Sequence, residues 1–365
     1  MINYYQPFLL PFLHFKPYRL PTGIHRHYYL SWEDALWDLL IQKNIPKGST
    51  VLIPDFYCMD VVENIKNHGY SPVFYPLNDH FQIDPTSFAQ MVQQKKPKII
   101  IIFHACGITS ALVHDISWLS SIDNSAIILE DCVHRLLDPT KVKLIHTNHV
   151  VMDSLRKDSP LPGSFIYGSD NFLSYQPKTN SIFSRYYLQS TFYFILFRMV
   201  FVCSVLGSVS SMAKFAHEVL LKRHDDIIGD SLLSHRGLPF ISLIHRFINF
   251  QKVKDKKIEQ VNFYSRLLSE NTLRHPDPAK AGEGSPFYSP SIPQSDYQHL
   301  HVYPLGIRGE LPENLLSNLH KKGIIVWNKF PDSPWSRYRQ ILFLPLGFHI
   351  SKRDIEFIAK SLKNN

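Results

Sequence analysis

Four cysteines in 365 residues, with no two in a CxxC pair, leave little basis for a thiolate metal site. Cys58, Cys106, Cys132 and Cys203 are scattered, three of them at the ends of apolar runs. That usage suits reduced, buried thiols in the cytoplasm rather than a disulfide framework. Charged residues are also sparse, at 19%, but the hydrophobic share of 44% is enough for a sizeable core, so disordered and fibrous classes are excluded. No internal repeat is visible. No basic run is interleaved with aromatics as single-strand binders require, so the net charge of +8 is not read as nucleic-acid binding; a phosphorylated substrate or an anionic surface remains compatible with it. The opening MINYYQPFLLPFLHFKPYRLP is apolar but broken by Pro7, Pro11 and Pro17. It lacks a charged start and a small-residue cleavage site, so it is not read as a signal peptide, and the expected location is cytoplasmic.

What is present is an alternation. Ser31 caps a helix-like stretch, SWEDALWDLLIQKN, whose apolar Trp32, Leu36, Leu39 and Leu40 recur at helical spacing. Then STVLIPDF reads as a strand, CMDVVENIKNHG as a helix, SPVFYPL as a strand and DPTSFAQMVQQKK as a helix. KIIIIFHACG reads as a strand, HDISWLSSI as a helix, and SAIILEDC and NHVVMDS as strands. Runs such as IIIIF are apolar at every position, as in parallel strands covered on both faces. The pattern predicts an α/β class with a large, doubly wound, mostly parallel sheet over 1–240. Over 241–365 it predicts a long helix, at 240–271, and a small α+β domain, with a Pro-, Gly- and Ser-rich loop at 273–297 between them.

One segment fits neither pattern. Within an apolar helical region at about 186–222, residues 191–209 are strongly apolar yet contain Arg198. Spanning a bilayer takes roughly 20 such residues, and a charge near the middle is costly there. A buried or oligomer-interface helix, a helix lying in a membrane surface, and a true span all fit. The second would give a peripheral membrane contact through 191–209.

Ligands of doubly wound sheets sit beyond the carboxyl ends of the strands. Those ends here carry Tyr57 and Cys58, His104, Glu130 and Asp131, and Ser154 followed by Lys157. A lysine to hold an aldehyde cofactor, a carboxylate for a ring nitrogen, a neutral polar group for the ring hydroxyl and a helix start for a phosphate are what pyridoxal 5′-phosphate (PLP) requires. Lys157, Asp131, His134 and Ser31 supply those types. Each alone also has a bland reading: a solvated strand cap, a surface lysine, a core histidine.

The motifs resemble those of the DegT/DnrJ/EryC1/StrS family of fold-type I PLP enzymes, which mostly aminate nucleotide-linked keto sugars. IPKGSTVLIPDFYC resembles the family's strand "G-D-E-V-(I/L)-(V/L)-P" and its turn. GYSPVFYPL with FQID, then IIIIFHACGIT, resemble the next passages. ILEDCVH resembles "(I/L)-E-D-(A/C)-A-(Q/H)". SLRKDSPLPG resembles a subgroup's "S-x-R-K-x-x-P-x-P", and ILFLPLGFHISKRDIEFIAKSL the usual ending. The resemblance implies a fold-type I PLP-transferase-like architecture. It makes Lys157 the residue that holds PLP and moves the proton, Asp131 the partner of the ring nitrogen and His134 the neighbour of the ring hydroxyl. Ser154 and Ser31 would approach the phosphate, Tyr57 or Cys58 the ring face, and His104 the cofactor wall. Arg236, in SHRGLPF, is a candidate anion contact for substrate. A homodimer, a sugar substrate of polysaccharide or glycan biosynthesis and an amino donor, usually glutamate, come with the same resemblance.

The sequence also departs from the family. Where the family opens its first large helix with "S-G-T", this chain has Ser31-Trp32-Glu33. Tryptophan replaces the glycine that lets a phosphate approach the backbone, and glutamate replaces a hydroxyl beside a dianion. Ser154 and Lys157 are three apart rather than the commoner five, and Gly163-Ser164 stands for the glycine pair after the lysine. The alternative expectation is therefore a protein of this fold with lost or changed activity.

Overall fold

The computed structural model describes residues 13–177, 185–207, 209–229, 235–268, 287–288, 290–308, 310–337 and 339–363. Pro7 and Pro11 of the opening segment, and residues 273–286 and 289 of the expected loop, lie outside the described residues. Seven strands form the larger sheet: β1 (Ile24–Tyr29), β2 (Thr50–Pro54), β3 (Ser71–Tyr75), β4 (Ile99–Phe103), β5 (Ile127–Asp131), β6 (His149–Met152) and β7 (Ser164–Ser169). Their spatial order is β1-β7-β6-β5-β4-β2-β3. Strands β3, β2, β4, β5 and β6 are parallel; β7 and then β1 continue the sheet antiparallel. This is the doubly wound, mostly parallel sheet expected, and every residue of β4 is buried.

Four helices join the strands of this sheet: α1 (Trp32–Gln42), α2 (Met59–Asn67), α3 (Pro85–Lys95) and the single turn α4 (Leu155–Asp158). A helical unit follows: α5 (Arg185–Leu206), α6 (Ser210–Phe215), a π-helical turn (Ala216–Leu221) and α7 (Lys222–Gly229). Then come α8 (Pro239–His245) and α9 (Phe250–Leu267). The C-terminal part is a small antiparallel sheet, β10-β11-β9-β8, built from β8 (Phe287–Tyr288), β9 (Tyr303–Arg308), β10 (Trp327–Asn328) and β11 (Arg339–Leu344), with α10 (Leu315–Lys321) and α11 (Lys352–Lys363).

Three sequence expectations need correction. HDISWLSSI is no α-helix: only Ser117–Ser121 winds, as a 3₁₀ helix, because Asp115 and Ser117 close a local side-chain turn instead. The helix expected over 240–271 is two, α8 and α9, broken where Asn249 caps the second through Lys252 N–H. Strands β1 and β7 were not anticipated, since IHRHYY and SFIYGS lack a clean apolar alternation; they pair with each other along the sheet margin.

Helix α9 fastens the two sheets together through polar groups. Its Lys254 pairs with Asp138 beyond β5, and its Lys257 Nζ donates to Asp158 Oδ1 at 2.8 Å and to the Leu300 carbonyl. One turn on, Gln260 donates to the Gly347 and Ile350 carbonyls, both at 2.7 Å, and accepts from Gly347 N–H. Both lysines are almost fully buried. Burial pushes the Asp158 carboxyl up, but Lys257 and His301 draw it down to about 2. Replacing Lys257 by methionine strands that carboxylate in the interior. The unfolding free energy, read from denaturant midpoints at neutral pH, falls by about 3 kcal/mol; an unchanged midpoint would show that the pair contributes nothing.

Candidate active site

A cavity of about 640 Å³ opens beyond the carboxyl ends of β2, β4, β5 and β6. Each strand delivers its next residues into the lining: Tyr57 and Cys58 after β2, Phe103 from β4, Asp131 and His134 from β5, Ser154 and Lys157 after β6. Ser31, Trp32 and Glu33 at the start of α1 complete one side, with Arg223 of α7 and with Lys329 and Phe330 of the C-terminal part. Thus Lys157, Asp131, His134, Ser154, Ser31, Tyr57 and Cys58, spread over more than a hundred residues of sequence, share one cavity. Gly163 also lines it, at φ +89°, where a Cβ would lie 2.5 Å from both Tyr28 Oη and the Tyr29 carbonyl. Only glycine lets the lysine turn close against β1 there.

Successive residues of a strand face opposite sides, and β5 uses this with two acids. Glu130 points away from the cavity. His104 Nδ1 accepts the Ser110 N–H at 3.0 Å, so its proton is on Nε2, which donates to Glu130 Oε1 at 2.8 Å. His149 Nδ1 likewise accepts the Ile145 N–H, and its Nε2 lies 3.2 Å from Glu130 Oε2. Burial pushes the Glu130 carboxyl up, yet these two imidazoles hold it well below the usual carboxylate range. The cluster His104, Glu130 and Cys132 has the compactness of a metal site. Its one histidine, His104, has its proton on the nitrogen that faces the cluster, so that nitrogen has no lone pair to offer a cation. His104 is therefore not part of the cofactor wall: it does not line the cavity, and it spends both nitrogens on Ser110 and Glu130.

Asp131 faces the other way. Its Oδ2 accepts from Tyr57 Oη at 2.7 Å and its Oδ1 from Val133 N–H at 2.9 Å. Burial dominates, and its pKa is pushed up to about 7 despite those bonds, with the charge of Glu33 adding to the rise and that of Lys157 opposing it. His134 is buried, lies 5.4 Å from the Phe330 ring at an interplanar angle of 5°, and packs on Phe103. Burial first, then the positive charges of Lys157, His301 and Lys329, hold it neutral, well below the ordinary histidine range. Its Nδ1 has no hydrogen-bond partner among the described residues.

The start of α1 is different. Ser31 Oγ caps the helix from Asp34 N–H at 3.0 Å and donates to Asp34 Oδ2 at 2.8 Å. Asp34 Oδ1 in turn receives the His235 N–H at 2.8 Å. The hydroxyl of Ser31 is thus engaged within the fold, and two carboxylates, Glu33 and Asp34, already offset the positive end of the helix. Arg236 is exposed, bridges to Tyr29 on β1 and does not line the cavity, so it is no substrate contact within this chain. Sequence reasoning missed Phe103, Phe330, Arg156, Arg223 and Lys329. Phe330 in particular, at φ +48°, comes from the loop after β10, and no local motif announces it.

Part of the chain matches one known family. The model of the DegT/DnrJ/EryC1/StrS aminotransferase family matches residues 33–137. No curated protein sequence matches the chain at a significant level. Solved structures that resemble it include DesI in the presence of its TDP-sugar product, with a TM-score of 0.58 at 12% identity over 93% of this chain and 80% of that one. A DegT/DnrJ/EryC1/StrS aminotransferase from Brucella abortus gives 0.55 at 14%, over 93% and 85%. NtdA from Bacillus subtilis, with its bound cofactor PMP (the amino form of PLP), gives 0.55 at 12%, over 93% and 73%. At such identities the neighbours establish the fold: the fold-type I architecture of PLP-dependent aminotransferases.

The family's cofactor can be tested against this cavity. At the ring end the residues fit: a dry carboxylate, a neutral imidazole with an unsatisfied nitrogen, and a lysine line one space. The start of α1, where the resemblance puts the phosphate, does not fit, because its first turn carries two acids. Besides Lys157, the lysine and arginine side chains lining the cavity are Arg156, Arg223 and Lys329.

The elevated pKa of Asp131 has a measurable sign. Folding raises it above the unfolded value, so the folded, cofactor-free protein binds the extra proton and loses stability as pH climbs from about 4 to 7. Asp131→Asn removes that loss. Thermal melts of cofactor-free protein should show no gain for the variant below pH 4 and a gain that grows to a plateau above pH 7. A gain independent of pH would mean that the carboxylate is ionised throughout.

Proposed function

We propose that this protein is a PLP-dependent aminotransferase that aminates a keto sugar carried on a nucleotide or a lipid, in glycan or polysaccharide biosynthesis. The observation that carries this reading is the convergence of Lys157, Asp131 and His134 on one cavity within a chain that matches an aminotransferase family. When bound, PLP supplies an electron sink for charge developing on the substrate carbon. The chain's own residues then have distinct tasks. Asp131, kept dry and oriented by Tyr57, favours a protonated nitrogen facing it, since a cation restores the ionised form that burial opposes. His134, held neutral, offers a hydrogen bond without adding charge. Lys157 is the amine that holds the cofactor, and it can afterwards accept and return a proton at the reacting carbon. Arg156, Arg223 and Lys329 give the cavity cations suited to phosphates, in keeping with the TDP-sugar product of DesI. As in the family generally, the working unit of this reading is a homodimer, with glutamate the usual amino donor.

The acidic first turn of α1 favours a second reading, in which the fold is kept and the activity is lost or changed. One titration separates the two. Purified protein incubated with PLP develops a visible absorption band that Lys157→Ala abolishes; protein that stays colourless at excess PLP sinks the aminotransferase reading. Glu33 sets the cofactor preference in the same assay. Glu33→Gln removes one like charge near the phosphate and tightens PLP binding by about tenfold, corresponding to about 1.4 kcal/mol, with pyridoxal, which lacks the phosphate, unaffected. An equal effect on both ligands would place the phosphate away from Glu33.

A further inference from the structure

Among the described residues one helix, over Tyr187–Ser204, is long and apolar enough to cross a membrane by length and composition. Its packing shows a different use. One face of α5 is buried: Ser190, Phe194, Phe197, Phe201 and Ser204 recur every three or four residues, and the helix packs against α6, the π-helical turn and α7. Arg198, the charge that broke the apolar pattern, lies 5.0 Å from the Phe194 and Phe197 rings and donates to the carbonyls of Arg156 at 3.5 Å and Ser159 at 3.2 Å. Helix α5 is thus clamped to the turn that bears Lys157, and spanning a bilayer would require tearing that clamp open.

The opposite face is apolar and faces outward. Leu188, Phe192, Ile195 and Met199, spaced four, three and four apart, are each more than half exposed, and Met212 and Phe215 extend the surface beyond the helix. Its charge is one-sided. The chain has 31 acidic residues, yet none lies between Asp170 and Glu218. Arg185, at the start of α5, is exposed, whereas Arg198 is turned inward. In a two-fold contact the same patch meets itself, so a second copy would bring Arg185 no acid of this helix to pair with. An anionic lipid surface answers both properties: apolar side chains enter the acyl boundary and the arginine meets the headgroups.

We propose that the exposed face of α5 and the segment after it docks the protein on an anionic membrane surface, lying in the interface rather than crossing it. Since α7 of the same helical unit contributes Arg223 to the cavity lining, docking would place the cavity beside the lipid headgroups. The inference stands whether or not the cavity binds PLP.

Vesicle flotation of the full chain tests it. The protein should float with phosphatidylcholine vesicles containing phosphatidylglycerol, far less with phosphatidylcholine alone, and be released by high salt. The exposed substitutions Phe192→Ser, Ile195→Ser and Met199→Ser, combined, should abolish flotation with the melting temperature unchanged; Arg185→Gln, also at an exposed position, should weaken it several-fold as a check that does not touch the apolar face. Failure of the wild type to float, or flotation as strong with neutral lipid, overturns the proposal. So does a triple variant that turns a dimer into a monomer in light scattering, which would assign the face to a second copy.

Discussion

Asp131 is a carboxylate at the end of a strand that is covered on both sides, and the cavity is organised around the cost of keeping it dry. The strand places it there because β5 is central in the sheet, paired with β4 on one side and β6 on the other. Tyr57 and the Val133 amide satisfy its oxygens without neutralising it. A site that leaves a buried acid so near its neutral form is poised for a cationic partner in the cavity. Its neighbour in sequence, Glu130, shows the opposite solution on the other face: two imidazoles supply protons, and the acid stays ionised. Two adjacent acids thus part ways through the alternation of a strand.

The remainder of the molecule holds the cavity walls in register. Phe330 and Lys329 come from the C-terminal part, so the wall against His134 exists only if the two sheets stay together. That junction rests on α9, whose buried face carries Lys254, Lys257 and Gln260 among its apolar residues. Polar groups in such a place are satisfied or costly, and each has its acid or carbonyl. The Asp158–Lys257 pair adjoins Lys157 directly, and Arg198 reaches the carbonyls on either side of the same turn. The lysine turn is therefore held from both sides, by the strut and by the apolar helix.

Much of this was legible beforehand. The unbroken run IIIIF could only be a strand covered on both faces, and Asp131, His134 and Lys157 stood at strand ends where such sheets keep their ligands. The misassigned residues share one feature: their roles depend on which way a side chain turns. His104 ends β4 as a site residue would, but its ring turns toward Glu130. Ser31 caps a helix as expected, and the cap itself consumes its hydroxyl. Arg236 lies in a segment that crosses to β1 instead of toward the cavity.

The sequence by itself determined the alternation of strands and helices, the class of sheet that follows from it, and the chemical types available at the strand ends, because periodicity and burial are local properties of the chain. It also showed, in Trp32 and Glu33, that the first helix opens without the glycine and hydroxyl of the motif it resembles. Only the tertiary structure decided which of those side chains meet. Direction across a strand, the approach of Phe330 from the loop after β10 and the clamp of Arg198 on the Lys157 turn all depend on contacts between residues far apart in the chain, and no local pattern encodes those.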